Sequence, residues 1–203
     1  PSAASLSAEE LKTPPKQIEI PVLKWTSAIE TVSKENNTAY ATYFPAASAV
    51  SGGGRGKIRV PRAVIILPHW NAKAGTYFDL AKFLNKVGLS ALRLTLPYHE
   101  ERMPPELERA DHLVSPNIGR SLQSIRQAVL KHQGYEKVGI VGTSIGSCVA
   151  FMAWVHDPRL DAAVFNHVSG YMADVVWHGL STYHVREGFG DNLDLDELRQ
   201  YWM

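Results

Sequence analysis

Residues Gly142-Thr143-Ser144-Ile145-Gly146 constrain this chain more than any other stretch, because of what flanks them. KVGIVG (Lys137 to Gly142) reads as a strand, and Ile145 to His156 reads as a helix. A strand that turns straight into a helix holds the central Ser in a strained conformation and lifts its hydroxyl above the sheet. The residues two before and two after that Ser must be tiny, since strand and helix backbones pass within contact distance there. The new helix aims its first N–H groups and its positive dipole end at the space beside Ser144, where an oxyanion would be held. By composition alone the G-x-S-x-G pattern should occur about 0.08 times in a chain of this length. The context supports a nucleophile at the tip of the turn over a purely structural tight turn.

The remaining elements frame that junction. QIEIPVLKW (Gln17 to Trp25) and TAYATYF (Thr38 to Phe44) alternate like strands, and their short separation predicts an antiparallel hairpin at one sheet edge. AVIILP (Ala63 to Pro68) is a continuous apolar run, as in a strand buried on both faces. Leu80, Phe83, Leu84 and Val87 share one helical face, and Gly88 stops that helix. LSALRLTLP (Leu89 to Pro97) is a strand. Ser115-Pro116 opens a helix with Ile118, Leu122, Ile125 and Val129 on its apolar face, and LDAAVFNHV (Leu160 to Val168) is a further strand. Strands alternating with helices predict an α/β fold, a doubly wound and mostly parallel sheet with right-handed crossovers. Val138 to Val141 is expected at its centre, between Ile65 to Leu67 and Ala163 to Phe165, with nearly all of those side chains buried.

Composition narrows the function classes. Hydrophobic residues at 45% against 20% charged give 203 residues enough apolar surface for a core in one domain. Twenty-one Lys+Arg against 20 Asp+Glu leave a net charge of +1, which makes no electrostatic case for nucleic acid or an anionic membrane as partner. The single cysteine, Cys148, rules out an internal disulfide and a Cys-rich zinc module, and reads as a packing residue of the helix after Ser144. No apolar run approaches the roughly 20 residues that span a bilayer. The chain opens at Pro1 without a basic n-region or an apolar h-region, so a soluble cytoplasmic protein and one exported with loss of its signal both stay open. Residues 1–16 read as a Pro-rich arm with a capping-box pair at Ser7 and Glu10. Gly52-Gly53-Gly54-Arg55-Gly56-Lys57 lacks the Gly-Lys-Ser/Thr entry of a phosphate loop and reads as a surface loop. PYHEERMPPELERADHLV (Pro97 to Val114) is rich in carboxylates and imidazoles without metal-ligand spacing, and Arg102 and Arg109 can neutralise its acids. It is expected to be a solvated, ion-paired loop. Nothing in the pattern asks for a metal or a cofactor.

The Ser144 elbow, the N-terminal hairpin, the strand ending in Leu67-Pro68-His69-Trp70 and the strand–helix order together resemble the α/β-hydrolase superfamily from about Gln17 to Val168. The resemblance implies a serine hydrolase acting on an ester or related small acyl substrate through an acyl-enzyme. An acyl-peptide or dienelactone type of hydrolase is the rival within the fold. It implies that the backbone N–H groups of Ile145 and Trp70 form the oxyanion hole, although LPHWNA lacks the usual His-Gly of that loop. His69 and Asn71, beside Trp70, are candidates for holding the loop or facing substrate. Tyr98 and His99 are candidates for lining the pocket, since ligands in open α/β sheets bind beyond the carboxyl ends of the strands.

In that superfamily the acid and the base follow the nucleophile, after the seventh and eighth strands. Only one strand can be placed after Ser144. Asp194 and Glu197 then open a helix that runs into Tyr201-Trp202-Met203. The expectation is that acid and base lie beyond Met203 in a longer parent, and that this chain alone is catalytically silent and self-associates. Within it, Asp174 is the candidate acid, and His167, His178 and His184 are candidate bases with His167 best placed. Residues 169–203 read equally as a cap over the site or as helices packing on the sheet. A non-catalytic α/β-hydrolase-like binding module is the rival from another class.

Overall fold

The apolar runs become neighbouring strands. The computed structural model describes residues 20–27, 30–31, 33–46, 61–105, 134–180, 182–190 and 193–201. Six strands, β1 (Val22–Thr26), β2 (Thr38–Phe44), β3 (Arg62–Leu67), β4 (Ser90–Leu94), β5 (Lys137–Thr143) and β6 (Ala162–Asn166), form one sheet in the order β1-β2-β4-β3-β5-β6. β1 pairs β2 and β2 pairs β4 antiparallel, while β4-β3-β5-β6 is parallel. β1 starts later than the alternation predicts. Pro21 carries no N–H for a ladder, though its carbonyl still accepts from the N–H of Tyr43 at 2.8 Å.

β3 reads as an unbroken apolar run because both of its faces are covered. Ile65 and Leu67 pack with Val149, Ala150 and Ala153 of α2 (Ile145–His156), and Ile66 packs with Ala81 of α1 (Phe78–Lys86) on the other face. Burial of each Ile, Leu or Val among them stabilises by about 1.5–3 kcal/mol. α1 ends as Gly88 predicts: at φ 83° it lets the Leu89 N–H reach Leu84 O and its own N–H reach Asn85 O. The buried stripe of α1 differs from the one predicted. Ala81 is fully buried and lets the helix approach the sheet, with Phe78, Leu80 and Leu84 beside it, while Phe83 and Val87 are 59% and 54% exposed.

β5 lies between β3 and β6, as expected, with Val141 opposite Ile66 and Val164. The burial expected of β6 does not hold. Val164 is 55% exposed, since among the described residues β6 pairs with β5 alone and no described helix covers the face it presents. Beyond β6, α3 (Met172–His178), α4 (Tyr183–Phe189) and α5 (Leu195–Tyr201) gather round their own small core of Ala173, Val176 and Leu198. α5 opens with a reciprocal capping box. The Glu197 N–H donates to Asp194 Oδ1 at 2.8 Å, and the Asp194 N–H donates to Glu197 Oε2 at 3.1 Å. The expected arm, Gly-rich loop and Ser115–Val129 helix, with Glu106, Glu108, Arg109, Asp111 and His112, lie outside the described residues.

Candidate active site

The connection from β3 leads to β4 on one side, and the connection from β5 leads to β6 on the other. Their diverging loops leave a crevice at the carboxyl ends of β3 and β5, and Ser144 stands at its edge. Backbone geometry marks the same end of the sheet. Six described non-glycine residues have φ between 48° and 70°: Asn71 and Tyr77 after β3, Tyr98 and Glu100 after β4, Ser144 after β5, and His167 after β6. Each costs of order 1–3 kcal/mol, and such strain gathers where function has fixed a geometry.

Ser144 is exposed at the junction of β5 and α2, with φ 55° and ψ −124°. Its N–H donates to Asn166 O at 2.9 Å, and its carbonyl accepts the first helical bond, from the Ser147 N–H at 2.8 Å. The flanking glycines are a steric necessity. A Cβ on Gly142 would overlap the Gly146 carbonyl and lie 2.7 Å from Ser147 N, and one on Gly146 would lie 2.6 Å from Leu67 O and overlap Pro68 O. The second contact brings the start of α2 against the end of β3, so the loop carrying Trp70 begins beside the loop carrying Ser144. Ser147, fully buried, staples the junction from below: its hydroxyl is within hydrogen-bond reach of both Gly142 O (2.8 Å) and Asn166 O. Ser147 is a supporting residue not foreseen above, although a hydroxyl three residues past Ser144 is a usable signal in the sequence.

His69 Nδ1 shares a 2.7 Å hydrogen bond with the Tyr77 hydroxyl, and the two rings meet edge to face. Trp70 packs both against the small core of α3–α5 and against Tyr98 and Met103. His99, 2% exposed, accepts the Asn71 N–H at Nε2 (2.9 Å), which leaves Nδ1 to donate to Pro97 O (2.9 Å). Burial holds its pKa down to about 4. The bond to Pro97 opposes that shift, and the charges of Arg93 and Arg102, with His69, add to it. His99 and Asn71, with Lys73, Glu101 and Met103, line a cleft of about 620 Å³ between the two loops, whereas Tyr98 is buried against Trp70.

The described part of the carboxylate-rich loop is ion-paired through Glu100, but it is largely buried rather than solvated as expected. Arg102, 1% exposed, donates to the carbonyls of Thr95 (3.1 Å) and Asn36 (2.9 Å), and the Tyr98 N–H donates to Asn36 Oδ1 at 2.7 Å. Arg93, buried within β4, pairs with Glu100 at 2.5 Å and donates to Thr76 O (3.3 Å) and Lys73 O (3.4 Å). Carbonyls of the connecting segments that are buried here need donors, and two buried guanidiniums supply them. A charged Arg93 inside an apolar strand was the legible hint. Burial pushes the Glu100 carboxyl up, against the pull of Arg93.

Of the candidate acid and bases, His167 is the one that the strand register sets beside Ser144. Thr143 pairs Asn166, so Ser144 and His167 leave β5 and β6 side by side, His167 exposed. Asp174 is engaged elsewhere. Arg199 of α5 holds it at 2.5 and 3.2 Å and draws its pKa below the usual carboxylate range. His178 lies on the same helix α3, and His184 lies on α4. Burial raises the Cys148 thiol pKa, as suits a packing residue. Among the described residues no group of three or more His, Cys, Asp or Glu side chains is placed to hold a metal, and no helix is long and apolar enough to cross a membrane.

No protein-family model and no curated protein sequence matches the chain. Solved structures do. An esterase from Pyrococcus furiosus superposes with a TM-score of 0.54 at 13% identity, covering 98% of this chain and 64% of that one. An epoxide hydrolase from Vigna radiata gives 0.54 at 15% identity, over 85% of this chain and 49% of that one. An alpha/beta hydrolase from Penicillium gives 0.52 at 16% identity, over 87% and 57%. This chain therefore has the α/β-hydrolase fold, and it spans less than two thirds of the length of each of these relatives.

Proposed function

We propose that the protein is a serine hydrolase cleaving an ester or related acyl substrate through an acyl-enzyme on Ser144. One observation carries the reading: Ser144 is exposed in a strained conformation (φ 55°) at the carboxyl end of a central strand, at the head of a helix. Ser144 Oγ attacks the carbonyl carbon as a base removes its proton, and the C–O π pair moves onto the carbonyl oxygen. The N–H groups of Ile145 and Trp70 hold that oxygen. Collapse expels the alcohol, which takes up the proton, and water then repeats the attack to release the acid and restore Ser144. His167 is the base candidate that the strand register favours. The esterase likeness supports an ester as the substrate.

A second reading, a ligand-binding module, is favoured by one observation. His69 bonds Tyr77 and His99 bonds Asn71 and Pro97, none of these partners being a carboxylate, and Asp174 is committed to Arg199. A fluorophosphonate probe with p-nitrophenyl acetate separates the two. Labelling and turnover that vanish in Ser144→Ala support the hydrolase, and unlabelled protein that still binds acyl ligands supports the module.

A further inference from the structure

His69 to Ala72 form a β-turn closed by the Ala72 N–H donating to His69 O at 3.3 Å, with Trp70 and Asn71 in the middle. Asn71 has φ 56°, and a positive φ at the third residue is the signature of a type II turn, which Asn tolerates. The peptide between the two middle residues is the weak point of such a turn. Rotating it by half a circle converts type II to type I and swaps the directions of the Trp70 carbonyl and the Asn71 N–H. The His99 side chain meets that peptide: its Nε2 accepts the Asn71 N–H at 2.9 Å. The His99 tautomer is itself set, because Nδ1 lies 2.9 Å from Pro97 O, a group that can only accept. Flipped, the peptide would turn its carbonyl toward an imidazole nitrogen that has no proton to give. The turn is also tied beyond this peptide, where buried Arg93 donates to the carbonyls of Lys73 and Thr76.

We infer that His99 is a positioning residue which, as an obligate acceptor at Nε2, locks the Trp70–Asn71 peptide in one orientation and so holds the shape of the turn whose first middle residue, Trp70, carries the N–H assigned above to the reacting carbonyl. This rests on the serine-hydrolase reading above only for its catalytic consequence; the lock itself is a property of the turn. A neutral ring is part of the device, since a protonated Nε2 would donate and repel the Asn71 N–H. The charged and titratable groups near the ring are Arg93 of β4, Arg102 after it and His69 of the turn, and with burial they keep it neutral down to about pH 4.

The test compares His99→Leu, which can neither accept nor donate, with His99→Gln, whose amide can do both. In the full protein, kcat for p-nitrophenyl acetate is expected to fall about 10- to 100-fold in His99→Leu, as when an oxyanion donor is misplaced, with KM within about twofold. His99→Gln is expected to recover to within about fivefold. Exchange of the Asn71 amide should quicken in the Leu variant and not in the Gln variant. The pH dependence of stability carries a third sign. A histidine titrating near 6.5 unfolded and at about 4 folded adds stability that is complete above pH 6.5 and lost as pH falls toward 4, so the melting temperature should drop over that window less steeply in His99→Gln. If His99→Leu does not fold, His99→Asn, too short to reach both partners, replaces it. Equal losses in the Leu and Gln variants, or no loss in either, overturn the inference. If wild type shows no Ser144-dependent labelling, the hydrolase reading is what fails, and Asn71 exchange alone then decides the lock: unchanged exchange in His99→Leu refutes it.

Discussion

Ser144 occupies the mirror image of the extended backbone well, where glycine rests without strain and any residue with a Cβ does not. Its neighbours hold it there through the bond from its N–H to Asn166 O and through the Ser147 hydroxyl beneath. The stored strain, of order 1–3 kcal/mol, exceeds the extra chain entropy that a glycine loses on folding, about 0.5–1 kcal/mol. Ser144→Gly is therefore expected to be about 1 kcal/mol more stable than wild type while losing all fluorophosphonate labelling. Ser144→Ala, which keeps the Cβ, should lose labelling with no such gain. Calorimetry on the three proteins checks this, and equal melting temperatures for the Gly and Ala variants would mean that no strain is stored.

The junction of β5 with α2 depends on backbones in contact. Inside a free helix, replacing Gly by Ala gains about 1 kcal/mol of propensity. At Gly146 the new methyl would overlap the carbonyls of Leu67 and Pro68, atoms of a central strand end that cannot swing aside. Overpacking against fixed backbone costs about 1–3 kcal/mol, so the steric term wins. Gly146→Ala is expected to be destabilised by about 2 kcal/mol in urea unfolding. It should also lose most of the proposed turnover of p-nitrophenyl acetate, because the helix start and the Trp70 loop would be pushed apart. A variant as stable as wild type would show that the two backbones do not approach so closely.

Across the whole sheet the two edges differ. β1 presents Val22, Lys24 and Thr26 to solvent beside partly buried Leu23 and Trp25, while β6 leaves Val164 open and pairs, among the described residues, with β5 alone. Phe151, Trp154 and Val155 of α2 are also exposed nearby. An unpaired edge next to apolar side chains favours pairing with another chain, and a lysine on such an edge opposes it. The 203-residue chain is expected to sediment as a dimer or larger species, shifted toward monomer by Val164→Lys. A wild-type monomer at every concentration in sedimentation velocity would remove the edge as an association surface.

Local chemistry was legible from the residues alone. An elbow needs tiny residues two positions either side of a Ser, and Gly142 and Gly146 spelled it out. The buried central strand showed in Ala63 to Leu67, the Gly88 stop in α1, and the cap of α5 in Asp194 and Glu197, since each depends on contacts within a few positions. The stripe of α1 was misjudged because Ala81, small enough to bring the helix close, outranked the larger Phe83 and Val87, and periodicity cannot weigh distance of approach. The loop after β4 was misjudged for a related reason. Its charges are expected in solvent from sequence, yet Arg102 is buried, and so is Arg93 of the strand before it, because connections brought together at Asn36, Lys73, Thr76 and Thr95 leave carbonyls that only a folded neighbour can satisfy. The same applies to His99 and Asn71, 28 positions apart and joined by one hydrogen bond. Partners that meet through the sheet leave no periodic trace in the chain, so the strand-to-helix turn at Ser144 could be found from sequence and the buried contacts of the neighbouring loops could not.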